Sequence, residues 1–177
     1  YRQLSKNKNI PWKKIDFFMG DERYVNKNTK HSNIKMCKKY FLDRVKISEK
    51  QIYAISTQKK IIADDVKNYE LKIKKYFQNK KNSFDLILLG VGNDGHIASL
   101  FRKNIRKKTT QNVNSIERKD FSRITLTIKC INNSKLIVLW APGKTKKNIV
   151  RKLIKDKKLQ YPASFLNKKN TFLFHSN

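Results

Sequence analysis

Residues 90–96 read GVGNDGH, with Gly90, Gly92 and Gly95 inside six positions. Glycine tolerates the tight turns that aim successive backbone N–H groups at one point, so such a loop suits an anion. Asp94 stands two positions before His96. A carboxylate beside an imidazole is equipment for acid–base chemistry, because an ordinary histidine pKa of about 6.5 leaves the ring mostly in its base form at neutral pH. Taken alone, glycines after a strand also describe a plain strand-to-helix turn, and no later acidic residue stands in a convincing place for the ribose partner of a dinucleotide site. A second charged group, Asp21, Glu22 and Arg23, closes another apolar run and fits a solvated turn as well as a site.

The elements that must carry these groups are legible around them. Residues 15–19 form a short apolar run that reads as a buried strand delivering Asp21, Glu22 and Arg23 at its carboxyl end. Ile34, Cys37 and Phe41 recur at helical spacing behind Ser32 or Asn33 as N-cap, and Val66, Tyr69, Ile73 and Phe77 mark a second helix over about 63–78. Residues 84–90, FDLILLG, read as a central parallel strand covered on both faces. Residues 102–120 are basic and poor in apolar side chains, which predicts an exposed loop. Strands follow at 123–128, 135–141 and 171–174, with a helix behind GKTK whose inner side is Ile149, Val150, Leu153 and Ile154. Without an internal repeat or a Gly/Pro/Ser-rich linker, residues 1–177 read as a single domain. The alternation predicts an α/β, Rossmann-like fold, a mostly parallel sheet with helices on both faces and ligands beyond the carboxyl ends of the strands.

Composition narrows the partners. The formal charge is +29, yet 34 Lys are spread along the chain against only 8 Arg, without the arginine clustering that base readout uses. Non-specific adhesion to polyanions stays open as an alternative, and a specific nucleic-acid site is not expected. The two cysteines form no CxxC, no apolar run is long enough to span a membrane, and residues 1–14 contain no secretory apolar core. These features predict a cytoplasmic chain with no membrane and no metal site. A start at Tyr1 raises the expectation of a preceding segment.

Taken in order, FFMGDERYV, HSN, FDLILLGVGNDGHIASLF, RITLT, the helix after GKTK, and YPAS resemble the 6-phosphogluconolactonase family, part of a superfamily with glucosamine-6-phosphate isomerase (deaminase). The deaminases share a DGH loop but follow it with phenylalanine-asparagine-glutamate and read DEY; this chain has Ser99-Leu100-Phe101 and Arg23. The resemblance implies hydrolysis of 6-phosphoglucono-1,5-lactone to 6-phosphogluconate in the oxidative pentose phosphate pathway, without a cofactor. It implies His96 as general base on water, Asp94 as its support, and Arg123 and Lys146 as phosphate ligands. Arg23 or the amides of Gly92 and Gly95 would meet the oxyanion, with Asp21, Glu22 and Asn33 in support. Asn33 also fits a simple helix cap, YPAS a turn before the last strand, and Trp12 and Trp140 packing. The implied partner is a sugar phosphate, with fusion to or association with glucose-6-phosphate dehydrogenase as a further expectation.

Departures from the family pattern set the alternatives. Asn93 and Arg102 stand where proline is usual, and the last strand stops at His175 where the family places an aspartate. A strand and glycine-rich phosphate loop usually precede the segment at Tyr1. Without them the expectation is an N-terminally truncated fold with a sheet edge or apolar surface uncovered. A truncated inactive relative, a deaminase-like sugar-phosphate enzyme and a basic polyanion-binding protein are the competing readings.

Overall fold

A computed structural model of the protein describes residues 2–78, 83–105 and 109–176. In chain order its elements are β1 (Phe17–Phe18), β2 (Asp21–Arg23), α1 (Asn33–Tyr40), β3 (Ile52–Tyr53), α2 (Ile62–Tyr76), β4 (Leu86–Gly90), β5 (Val113–Ile116), β6 (Arg123–Leu126), α3 (Ile128–Asn132), β7 (Leu136–Pro142), α4 (Lys147–Lys155) and β8 (Thr171–Ser176). They form an α/β fold of the expected class. β1 pairs in parallel with β3, and β4, β7 and β8 form a parallel sheet in that order. A third, antiparallel sheet has the order β2-β6-β5. No described helix is long and apolar enough to cross a membrane.

The main core forms where one face of the parallel sheet meets the helices. Ile87 and Leu89 of β4 and Ile137, Leu139 and Ala141 of β7 pack with Tyr69 and Ile73 of α2, Cys130 and Ile131 of α3, and Ile149 and Val150 of α4. A smaller cluster gathers Ile34, Cys37, Phe41, Leu42 and Val45 around Trp12, whose ring meets Phe41 edge-on at 5.5 Å. Trp12 is thus the packing residue expected of it.

Several expectations need correction. Burial along β4 alternates, and the far face of the sheet leaves Leu86, Leu88, Trp140, Phe172 and Phe174 each 48–55% exposed, so this strand is covered on one face only. Trp140, assigned to packing, lies on this exposed face with its ring centroid 6.3 Å from that of Phe174. The strand at 15–19 shrinks to β1, and Asp21–Arg23 are themselves a strand in a different sheet. Residues 102–120 contain β5, whose Val113 and Ile116 are buried; residues 106–108 of that segment lie outside the described residues. The reason is Glu70 of α2, whose carboxylate accepts the backbone N–H groups of Asn112 and Val113 at 2.8 and 2.9 Å and so anchors a strand with little apolar signature. The strand at 123–128 ends at Leu126 because the Thr127 hydroxyl accepts the Cys130 N–H and starts α3. Ile154 is 73% exposed and not on the inner side of α4.

β2 and α1 are joined by one buried carboxylate. Glu22 accepts the backbone N–H groups of Arg23, Asn33 and Ile34 at 2.9, 2.6 and 2.8 Å and the Ser32 hydroxyl at 3.2 Å. Burial raises its pKa against the pull of those bonds. It sits on the first turn of the helix, where the macrodipole favours an anion. Glu22→Ala is expected to cost about 2–3 kcal/mol, because it strands buried donors that a charged acceptor had satisfied. Urea unfolding measures this, and a loss below about 0.5 kcal/mol would remove Glu22 as the link between β2 and α1.

Candidate active site

The loop after β4 is closed by its own backbone. Gly92 N–H donates to the His96 carbonyl and Gly95 N–H to the Gly92 carbonyl, both at 2.9 Å. These amides were expected to face substrate; the structure commits both internally. What the two glycines supply is room. The His96 ring and the Asp94 carboxylate lie so close over Gly92 that a Cβ there would collide with both. Gly95 has φ +79°, and a Cβ on it would stand 2.8 Å from Cβ of Tyr161.

His96 Nδ1 lies 2.6 Å from Asp94 Oδ1, and the His96 backbone N–H donates to the same oxygen at 3.3 Å. A carboxylate at that distance calls for the ring proton on Nδ1, which leaves the Nε2 lone pair able to accept a proton. Partial burial would raise the Asp94 pKa, but the hydrogen bonds from His96 outweigh it and hold the carboxyl below its usual value. The far side of the imidazole meets Phe101, with ring centroids 4.6 Å apart.

The antiparallel pair β2–β6 supplies the other wall. Asp21 is opposite Thr125 and Arg23 is opposite Arg123. Strand alternation puts these four on one face and Glu22 and Ile124 on the other. Ser99 ties the loop to that face: its hydroxyl donates to Asp21 Oδ2 at 2.6 Å and its N–H to the Thr125 hydroxyl at 3.2 Å. Burial raises the Asp21 pKa, and the Ser99 hydrogen bond and the charges of Arg123, Arg23 and His96 only partly offset it. Arg23 Nη1 donates to the His31 carbonyl at 2.9 Å, and Arg123 Nη2 to Asp120 Oδ2 at 2.5 Å. Lys146 reaches the loop from behind β7, donating from Nζ to Asn93 Oδ1 at 2.9 Å.

Asp94, His96, Asp21, Arg23, Arg123 and Lys146 therefore gather about one loop and one strand pair. The family model for glucosamine-6-phosphate isomerases/6-phosphogluconolactonase matches residues 1–174. The chain belongs to this family. It is 35% identical over 163 residues to the 6-phosphogluconolactonase of Synechocystis sp., covering 89% of this chain and 68% of that protein. The 6-phosphogluconolactonase of Thermotoga maritima is 32% identical over 175 residues, covering 96% and 74%. The crystal structure of a 6-phosphogluconolactonase from Thermotoga maritima superposes with a TM-score of 0.86 over 99% of this chain and 78% of that one, at 31% identity. A monomeric glucosamine-6-phosphate deaminase shares the fold, with a TM-score of 0.80 at 17% identity.

Within this family member, two of the residues expected in support link β2 to α1. Glu22 serves α1, and Asn33 is the first residue of that helix, donating from Nδ2 to the Asp21 carbonyl at 3.1 Å; the cap itself is Ser32. Sequence reasoning used Ser99 and Phe101 only to set the chain apart from the deaminases, passed over Arg118, and read residues 161–164 as a turn. Ala163 N–H donates to the Gly95 carbonyl at 2.9 Å while Tyr161 packs on Gly95, so this segment braces the histidine loop. Among the described residues, no group of three or more His, Cys, Asp or Glu could hold a metal ion.

Asp156 organises that brace, its Oδ2 accepting the N–H groups of Gln160 and Tyr161 and the Ser164 hydroxyl at 2.8, 3.2 and 2.5 Å. Asp156→Ala is expected to speed hydrogen exchange of the Ala163 amide by roughly tenfold or more, as local opening becomes easier. Unchanged protection would show that the brace holds without Asp156.

Proposed function

We propose that this chain hydrolyses 6-phosphoglucono-1,5-lactone to 6-phosphogluconate. The observation that carries the reading is the His96–Asp94 contact of 2.6 Å beside an arginine-bearing strand pair. His96 Nε2 takes a proton from water as the oxygen adds to the lactone carbonyl carbon. Arg23, held to the His31 carbonyl through Nη1, offers its remaining N–H groups to the oxyanion. Collapse breaks the bond from the carbonyl carbon to the ring oxygen. The imidazolium returns its proton to that oxygen, leaving a hydroxyl and a carboxylic acid, so one water is consumed and no cofactor enters the balance. Asp94 holds the ring in the required tautomer and stabilises the imidazolium. Arg123 and Lys146 take the phosphate.

The reading treats residues 1–177 as one domain, since the cluster draws on Asp21 at one end and Lys146 toward the other. It includes a cytoplasmic setting and a neighbouring or fused glucose-6-phosphate dehydrogenase, the enzyme whose product is this lactone.

The test is the rate of lactone disappearance, with substrate generated in situ from glucose 6-phosphate, against spontaneous hydrolysis. His96→Asn should lower turnover roughly a hundredfold or more. Gly92→Ala should do comparable damage by displacing the ring from Asp94. A folded wild-type chain that gives no acceleration, or ammonia release from glucosamine 6-phosphate, would refute the assignment. Arg123→Ala should mainly raise KM, and a loss confined to the maximal rate would contradict its phosphate role.

A further inference from the structure

Arg118 lies between β5 and β6, in a segment with no motif to single it out. Its guanidinium carbon stands 4.0 Å from the centroid of the Phe101 ring, and that of Arg123 stands 5.5 Å from the same centroid. The ring that underlies both arginines is also the one that meets His96 at 4.6 Å. Asp120 joins them from the side, accepting Arg118 Nε on Oδ1 at 3.1 Å and Arg123 Nη2 on Oδ2 at 2.5 Å. One carboxylate and one aromatic face thus fix two guanidinium groups together.

Donor capacity at this pair is unspent. With Nε committed to Asp120, Arg118 makes no hydrogen bond from Nη1 or Nη2 to any described residue, and Arg123, only 9% exposed, has a buried Nε without a partner. Arg23 stands directly opposite Arg123 across the strands, so a third positive charge crowds the same face. Like charges so placed repel unless an anion is shared between them. Buried unsatisfied donors in a native fold call for the same explanation.

We propose that Arg118 is a further anion-binding residue of this site, closing on the phosphate of the substrate together with Arg123, and that Asp120 is the positioning residue for both. The proposal rests on the lactonase reading. A lactone phosphorylated at the end remote from its carbonyl needs acid–base chemistry at one end and cations at the other. Phe101 provides that division, with His96 and the arginine pair both in contact with the one ring. Arg118 supplies the planar fork that suits a phosphate.

The experiment compares wild type, Arg118→Ala, Arg118→Lys and Asp120→Asn in the whole chain, with thermal unfolding to establish that each variant is folded. Two substrates are used, 6-phosphoglucono-1,5-lactone and unphosphorylated glucono-1,5-lactone. For Arg118→Ala the expected result is a KM for the phosphorylated lactone raised roughly tenfold or more, so that its advantage in kcat/KM over the unphosphorylated one shrinks by the same factor. Arg118→Lys should fall between the two, and Asp120→Asn should move in the same direction by less. An equal fall for both lactones, or an unchanged KM, would overturn the proposal. Calorimetric titration with 6-phosphogluconate separates it from the hydrolase reading. Binding that depends on Arg118 in a chain that fails to hydrolyse lactone would sink the hydrolase and keep the anion site; binding indifferent to Arg118 would sink the site whatever the activity.

Discussion

The antiparallel pairing of β2 with β6 sets Arg23 directly against Arg123, two like charges at the closest approach a sheet allows. The surroundings are arranged to make this tolerable. Arg23 is turned to the His31 carbonyl, Arg123 to Asp120, and Asp21 sits two positions along β2 on the same face. Ser99 then fastens the histidine loop to Asp21 and Thr125, so the imidazole is placed by the same strand pair that concentrates the positive charge. Were β2 to slip by one residue against β6, Asp21 and Arg23 would exchange faces with Glu22, and both the site and the link to α1 would be lost.

The period of two also explains why neighbouring carboxylates do different work. Glu22 points to α1 and is saturated by backbone donors, whereas Asp21 points to the loop. Burial lifts the Asp21 pKa above its ordinary value, so the folded state holds this proton more tightly than the unfolded chain does. Its contribution to stability is therefore fullest below the ordinary aspartate range and declines as pH rises through the raised value.

Much of this is legible in the sequence. The glycines, Asp94 and His96 follow a continuous apolar run, and both site clusters stand beside strands, as an α/β fold requires. What escaped has physical causes. β5 reads VNSI and owes its place to Glu70, more than forty residues away, which no local pattern announces. Arg118 is one of many cations in a chain of charge +29, and only its stacking on Phe101 distinguishes it. The alternation along β4 was hidden because leucine and isoleucine occupy both faces, although only one is buried. Tyr161 could be recognised only once its ring was seen filling the space that Gly95 leaves open.

The departures at the loop show how its rigidity is kept. A proline where Asn93 stands would restrict the backbone but offer no side-chain acceptor. Asn93 instead takes the Lys146 ammonium on its amide oxygen, so the same cation expected at the phosphate also ties down the loop that carries His96. The opposite side is held by Tyr161 and the Ala163 N–H on Gly95, and the floor by Gly92, where the imidazole and Asp94 leave no room for a side chain. Restraint thus passes from backbone chemistry to contacts with two distant segments. On the phosphate role proposed for Lys146, substrate would draw its ammonium from Asn93, which would couple occupation of the anion site to the freedom of the loop bearing His96.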